Sequence, residues 1–253
     1  MSLDGLTVEI IGGVAGSIIV GILAIVYRSK YVGKIKDAIG MGYNSDFRSY
    51  FTEPSLEEQI PKVKILFVDD EEVGSVDTLK ENGYNVFKWD SVADYSKLIS
   101  GEFDIIVLDI NGVALHLSED DGFGIIKSIK REAPHQIVVA FSAKSYDLSK
   151  QEFFQLADAY IFKPSSFIKM KTKLDQIIAS RLSVESQIKR LEAIVLDEGN
   201  TRDELSAFQD KLCKSLHYKK EINWDDILSF TSNKETKRQL KTITKNLVDK
   251  YRA

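Results

Sequence analysis

Apolar residues recur along this chain in three different rhythms. From Ile10 to Tyr27 the run IIGGVAGSIIVGILAIVY carries no charge and no proline, and Glu9 and Arg28 bound it. At ~1.5 Å per residue it reaches roughly 27 Å, close to the ~30 Å of bilayer hydrocarbon. This predicts one transmembrane helix. From about 62 onward the rhythm changes to short apolar runs separated by amphipathic stretches: VKILFV (63–68), YNVFKW (84–89), FDIIVL (103–108), QIVVAF (136–141) and AYIF (159–162). Helices are predicted between them at about 72–82, 92–100, 123–132 and 146–157, and a fifth starts near Ser165 or Ser166, where a serine can cap its first turn. Strands alternating with helices give a parallel sheet covered on both faces, a flavodoxin-like (βα)5 doubly wound fold. Beyond 180 the period becomes purely helical.

Charge orients the first segment. Asp4 and Glu9 precede the apolar run, while Arg28, Lys30, Lys34 and Lys36 follow it. That arrangement is the reverse of a cleaved signal peptide and obeys the positive-inside rule. The expectation is a single-pass protein of a bacterial inner or plasma membrane, with residues 1–9 outside, a span at 10–27, a juxtamembrane linker at 28–61, and everything after Tyr27 cytoplasmic. Gly12 and Gly16, with Gly13, Ser17 and Gly21, put small residues on the span at four-residue intervals, a face that allows homodimerisation; the plainer reading is that glycine is common in membrane helices.

Composition narrows the chemistry. The chain has 253 residues, 43% of them hydrophobic, enough for one full core with smaller additions. Its net charge of -4 gives no bulk footprint for nucleic acid, and the single cysteine excludes an intrachain disulfide or thiolate metal cluster. Three histidines without ligand spacing give no imidazole metal site.

The residues after each strand carry the signal. Asp69 and Asp70 follow the first strand, Asp109 the third, Ser142 and Ala143 the fourth, and Lys163 and Pro164 the fifth. In a doubly wound sheet, strand ends of this kind converge on one crevice. Together, FVDDEE, IIVLDI, FSA and YIFKP resemble the receiver domain of bacterial response regulators over residues 62–180. The resemblance implies Asp109 as phospho-acceptor, with Ser142 and Lys163 as its catalytic partners. It implies a Mg2+ site made by Asp69, Asp70, Asp109 and the backbone carbonyl of Asn111, and Tyr160 as the aromatic switch. The residue types suit that chemistry on their own account. A carboxylate attacking a phosphoryl group needs a divalent cation to offset anion repulsion, and acidic oxygens suit Mg2+.

The expected phosphodonor is a sensor histidine kinase or a small acyl phosphate. No enzyme activity is expected beyond self-phosphoryl transfer and hydrolysis at the acceptor. Partners are expected through the face of helix 4, strand 5 and helix 5, or through the C-terminal helices. One departure from the family stands out: NGVALHLSED, holding His116, Glu119 and Asp120, separates Asp109 from Asp121–Gly122 by several residues more than usual and lacks a proline. It reads either as a tolerated insertion or as a partner surface.

In the module at 181–253, the fifth helix is expected to continue as a long connector that Gly199–Asn200 should end. Further helices are expected from Thr201 to about Leu216, around Trp224, and from about Asn233 to Tyr251. Lysines there are spread over helix faces rather than striped, which speaks against nucleic acid. The overall expectation is a membrane-anchored, response-regulator-like protein relaying a switch to a helical interaction module. The alternative is a membrane scaffold or oligomerising effector whose receiver-like fold docks or senses without phosphorylation.

Overall fold

The computed structural model of the chain describes residues 42–143, 148–197 and 199–252. Five strands, β1 (Lys64–Val68), β2 (Asn85–Trp89), β3 (Ile105–Leu108), β4 (Ile137–Ala143) and β5 (Ala159–Lys163), form one sheet in the order β2-β1-β3-β4-β5, with every pairing parallel. Helices α1 (Ser75–Glu81), α2 (Tyr95–Ile99), α3 (Asp121–Glu132), α4 (Leu148–Leu156) and α5 (Phe167–Arg181) make the crossovers.

The strands are apolar on both sides because both sides are covered. Ile65, Phe67, Val107, Val139, Phe141 and Ile161 face Val76 and Leu79 of α1 and Met170, Leu174 and Ile178 of α5. The alternate residues Leu66, Val68, Ile106, Leu108, Val138 and Ala140 face Leu98 of α2, Ile125, Ile126 and Ile129 of α3, and Phe153 of α4. Chain order reverses between β1 and β3, so the carboxyl ends of those strands open a crevice.

A second core lies in the C-terminal helices α6 (Val184–Asp197), α7 (Arg202–His217) and α8 (Lys234–Tyr251), with a one-turn helix at Trp224–Ile227. Leu191, Val195, Phe208, Leu212, Cys213, Leu240 and Leu247 are buried there. Thr201 and Glu204 form the capping box that starts α7, and the side chain of Asn233 caps α8. Phe47 and Phe51 enter the same core from a 3-10 turn at Phe47–Tyr50, and the Thr52 N–H donates to the Tyr251 carbonyl at 2.9 Å. Within the stretch expected as a linker, residues 42–61 therefore belong to the fold. FRSYF places two aromatics four apart, on one side of a turn.

The expected connector helix is interrupted. α5 ends at Arg181, and α6 begins at Val184 with Ser183 accepting the Ser186 N–H at 3.1 Å and the Glu53 carboxylate accepting the Val184 N–H at 3.0 Å. A serine cap and an acid at the positive end of the new helix make a break here more stable than continuation.

The module docks at the amino ends of the strands. Lys250 of α8 pairs with Asp104 at 2.6 Å, Thr242 donates to the Ser100 carbonyl at 3.3 Å, and Arg238 donates to the Glu132 carbonyl at 3.1 Å. Asp109 stands at the other end of β3, roughly 16 Å from Asp104 at ~3.3 Å per residue.

The membrane localisation expected from the sequence is corrected. Among the described residues no helix is long and apolar enough to cross a membrane. Even α8, at 18 residues, has charged Lys237, Arg238, Lys241, Lys245 and Asp249 along its length. The stretch Ile10–Tyr27, read as the span, lies outside the described residues.

Candidate functional site

The crevice gathers its charges from three strand ends. Asp69, directly after β1, is fully buried; Asp109, directly after β3, is 6% exposed; Asp70 is exposed. Carboxylate oxygens of these three residues lie within 4.8 Å of one another. Lys163, the last residue of β5, reaches across with Nζ 2.7 Å from Asp109 Oδ2 and 2.7 Å from Asp69 Oδ2. Its peptide bond to Pro164 is cis. Three carboxylates meet one ammonium, so the cluster keeps an excess of negative charge in a half-buried hollow.

The remaining lone pairs are committed unevenly. Asp109 Oδ1 accepts the Ile110 N–H at 2.7 Å, and Asp69 Oδ1 accepts the Glu71 N–H at 3.0 Å. Asp69 Oδ2 is buried and, among the described residues, has the charge contact to Lys163 but no hydrogen-bond partner. A buried carboxylate oxygen left in that state, among three hard oxygen donors, fits a divalent cation such as Mg2+. Burial raises the Asp109 carboxyl above its ordinary value, a shift the Lys163 ammonium offsets in part. Burial works against the charge of Lys163, but its bonds to Asp109 and Asp69 outweigh it and hold the lysine protonated well above its ordinary range.

Ser142 is buried in β4 opposite Phe162, one position before the Ala143–Lys163 pair. Asn111 is exposed in the bend two residues after Asp109. Tyr160 is half exposed on β5, its ring 4.9 Å from Phe162 and 6.1 Å from Phe154.

Several contributors were not singled out from the sequence. Glu71 stands 3.4 Å from Lys163 Nζ but is largely exposed, and Lys88 at the end of β2 donates to the Asp69 carbonyl at 3.0 Å. The Glu-Glu following Asp69–Asp70 and a lysine beside the switch point were the available signals. Asp121 organises the long loop: at φ 52° it accepts the N–H groups of Gly112 and, at 2.6 Å, of Ala114. Val113 and Ala114 are buried, the Val92 N–H donates to the Val113 carbonyl at 2.8 Å, and His116 Nε2 is 3.1 Å from the Val92 carbonyl. The insertion is thus packed onto the β2–α2 connection, with Leu115 and Leu117 exposed at its tip.

Gly122 is where α3 meets the acceptor. A Cβ there would stand 2.2 Å from the Asp109 carbonyl oxygen and 2.9 Å from Ile110 Cα, both backbone atoms. Gly122→Ala is expected to lower stability by about 1–3 kcal/mol, as overpacking does, and to slow modification of Asp109; urea denaturation and a labelling assay check both.

Residues 65–175 match the family model of the response regulator receiver domain. No curated protein matches the chain. Among solved structures, the chemotaxis protein CheY4 of Vibrio cholerae is 21% identical, with 46% of this chain and 98% of that one covered at a TM-score of 0.39. A two-component response regulator from Clostridium difficile is 23% identical over 47% and 97%, TM-score 0.39. The Thermotoga maritima response regulator TrrA, in complex with Mg(2+)-BeF, is 26% identical over 46% and 98%, TM-score 0.36.

Proposed function

We propose, starting from the identity of residues 65–175 as the receiver domain of a two-component response regulator, that Asp109 accepts a phosphoryl group and that the change is passed to the helical module. The observation that carries this reading is the Lys163 ammonium held 2.7 Å from both Asp69 and Asp109 inside an acidic cluster.

Asp69, Asp70 and Asp109, with the Asn111 backbone carbonyl, are the residues to hold Mg2+. The cation supplies charge neutralisation between the carboxylate nucleophile and the phosphoryl oxygens. An Asp109 carboxylate oxygen bonds to phosphorus as the donor's bond breaks, P–N in a kinase phosphohistidine or P–O in acetyl phosphate, releasing imidazole or acetate. Lys163 keeps Asp109 ionised against its burial before transfer and pairs with phosphoryl oxygens afterwards. Ser142 donates a hydrogen bond to the attached group. Its movement frees space for Tyr160, whose ring leaves its exposed position and changes the α4–β5–α5 face. The chain acts as a switch rather than as an enzyme on other substrates.

The docking geometry supports a route for the relay. The module sits away from the α4–β5–α5 face, but β5 carries both Tyr160 and Lys163, and α5 runs from it to the Leu182–Ser183 break that opens α6. A shift of α5 would reach the module through that joint.

Acetyl phosphate with MgCl2 tests the reading on the full chain. Expected is a mass gain of one phosphoryl group, base-labile, mapped to Asp109, lost in Asp109→Asn and lost on chelation of Mg2+. A folded chain that takes no label, or label retained elsewhere in Asp109→Asn, overturns it.

A further inference from the structure

Where the module meets the amino ends of the strands, an open cleft lies between the two cores. It is lined by both halves of the chain, with Phe103 and His135 from the receiver and Leu182, Arg190, Arg238, Ile243 and Asn246 from the helices. Most of the remaining lining is polar, including Gln136, Gln187 and Gln239, with Asp104 the acid among them.

The charge of this cleft is unbalanced. Arg190 donates to the His135 carbonyl, and among the described residues no ion pair holds its guanidinium. The two acids that act on it electrostatically are committed elsewhere. Asp158 is held by Lys130 at 2.5 Å and by the Val138 N–H at 2.9 Å, while Asp104 is held by Lys250 at 2.6 Å and by the Lys64 N–H at 2.8 Å. Burial pulls the Arg190 pKa down to about 10, the mark of a cation short of compensation. His135, neutral or cationic, offers it no counter-charge, and burial, then the charge of Arg190, lowers the imidazole's pKa. Arg238 is bonded to Glu235 at 2.7 Å through Nη2, yet its buried Nε has no hydrogen-bond partner among the described residues. A guanidinium withdrawn from water without a counter-ion is unfavourable, and an oxyanion is its natural complement.

We propose that this cleft binds a small organic anion, a carboxylate or phosphate on a compact apolar body, with the oxyanion against Arg190 and Arg238 and the body against Phe103, Leu182 and Ile243. The site lies at the opposite end of the sheet from Asp109 and needs neither Mg2+ nor phosphorylation. Occupancy would tie the receiver to the module.

The test is thermal unfolding of the full chain in EDTA with benzoate or phenyl phosphate, against sodium chloride at matched ionic strength. A saturable rise in Tm beyond the salt control is expected. A rise with benzoate alone assigns a carboxylate ligand, with phenyl phosphate alone a phosphate monoester, and with both a general oxyanion site. Arg190→Gln is expected to abolish the rise. Asn246→Asp, which sets a carboxylate in the cleft with little change of shape, is expected to abolish it too and serves where Arg190→Gln does not fold. No rise above the salt control with either probe, or a rise undiminished in the folded variants, overturns the proposal.

Discussion

Lys163→Ala is expected to slow phosphorylation of Asp109 by acetyl phosphate by on the order of a hundredfold and to lower stability near neutral pH by about 3–5 kcal/mol. Both effects have one cause. The lysine is the cation seated 2.7 Å from two buried carboxylates, and without it they face each other uncompensated. The pH dependence separates this from general damage. Burial raises the Asp109 carboxyl, so the folded state binds that proton more tightly than the unfolded chain. Its ionisation therefore destabilises the fold, and stability falls as pH rises from the ordinary value of 3.8 through the folded pKa. Lys163, with its pKa raised, contributes stability that is fully present below its ordinary value of 10.5 and is lost only as pH rises through the folded value. Without it the partial offset on Asp109 disappears, so the deficit should be greatest at neutral pH and shrink toward acid. Urea denaturation of both proteins from about pH 5 to about pH 8 reads this directly; a deficit that grows toward acid would remove the ion cluster from the account.

The receiver half was legible because each of its signals is local. A buried strand in a parallel sheet must be apolar on both faces, so IIVL and IVVAF declare themselves, and Asp109 and Lys163 are found simply by reading one residue past or at the strand end. Glycine turns mark the joins: Gly83 and Gly101, after α1 and α2, both have positive φ. What escaped depends on contacts distant in sequence. The break is completed at Val184 by Glu53, 131 residues earlier. The docking of the module rests on Lys250 finding Asp104, 146 residues apart, and on Gly101 lacking a side chain where Thr242 Cγ2 would stand 2.2 Å from a Cβ. No window of sequence contains such pairs. Periodicity also ran past the α5–α6 junction because Ile178 and Leu182 before the break and Ile188 and Leu191 after it are all buried, and apolar spacing records burial rather than continuity.

Lys250→Ala should therefore be among the most damaging single changes outside the cluster, at about 3–5 kcal/mol. Asp104 is 6% exposed at its side chain; it accepts the Lys64 N–H at 2.8 Å at the start of β1 and the Lys250 ammonium at 2.6 Å. Removing the lysine leaves a buried carboxylate with one backbone donor and, among the described residues, no cation bonded to it, and charged groups in that state are expensive. The loss should be felt at the joint between the two cores, since Lys62 also reaches the Lys250 carbonyl, at 3.1 Å, and Thr242 bonds Ser100 on the same side of α8. Limited proteolysis should cut Lys250→Ala near the Leu182–Ser183 break under conditions that leave wild type intact. Removing the charge from both partners is a different perturbation. Asp104→Asn combined with Lys250→Met keeps a side-chain oxygen for the Lys64 N–H and an apolar stem for the packing, so most of the lost stability should return. A double variant as unstable as Lys250→Ala would mean that the lysine acts through its methylene packing, and the pair would then have no part in holding the module at the amino ends of the strands.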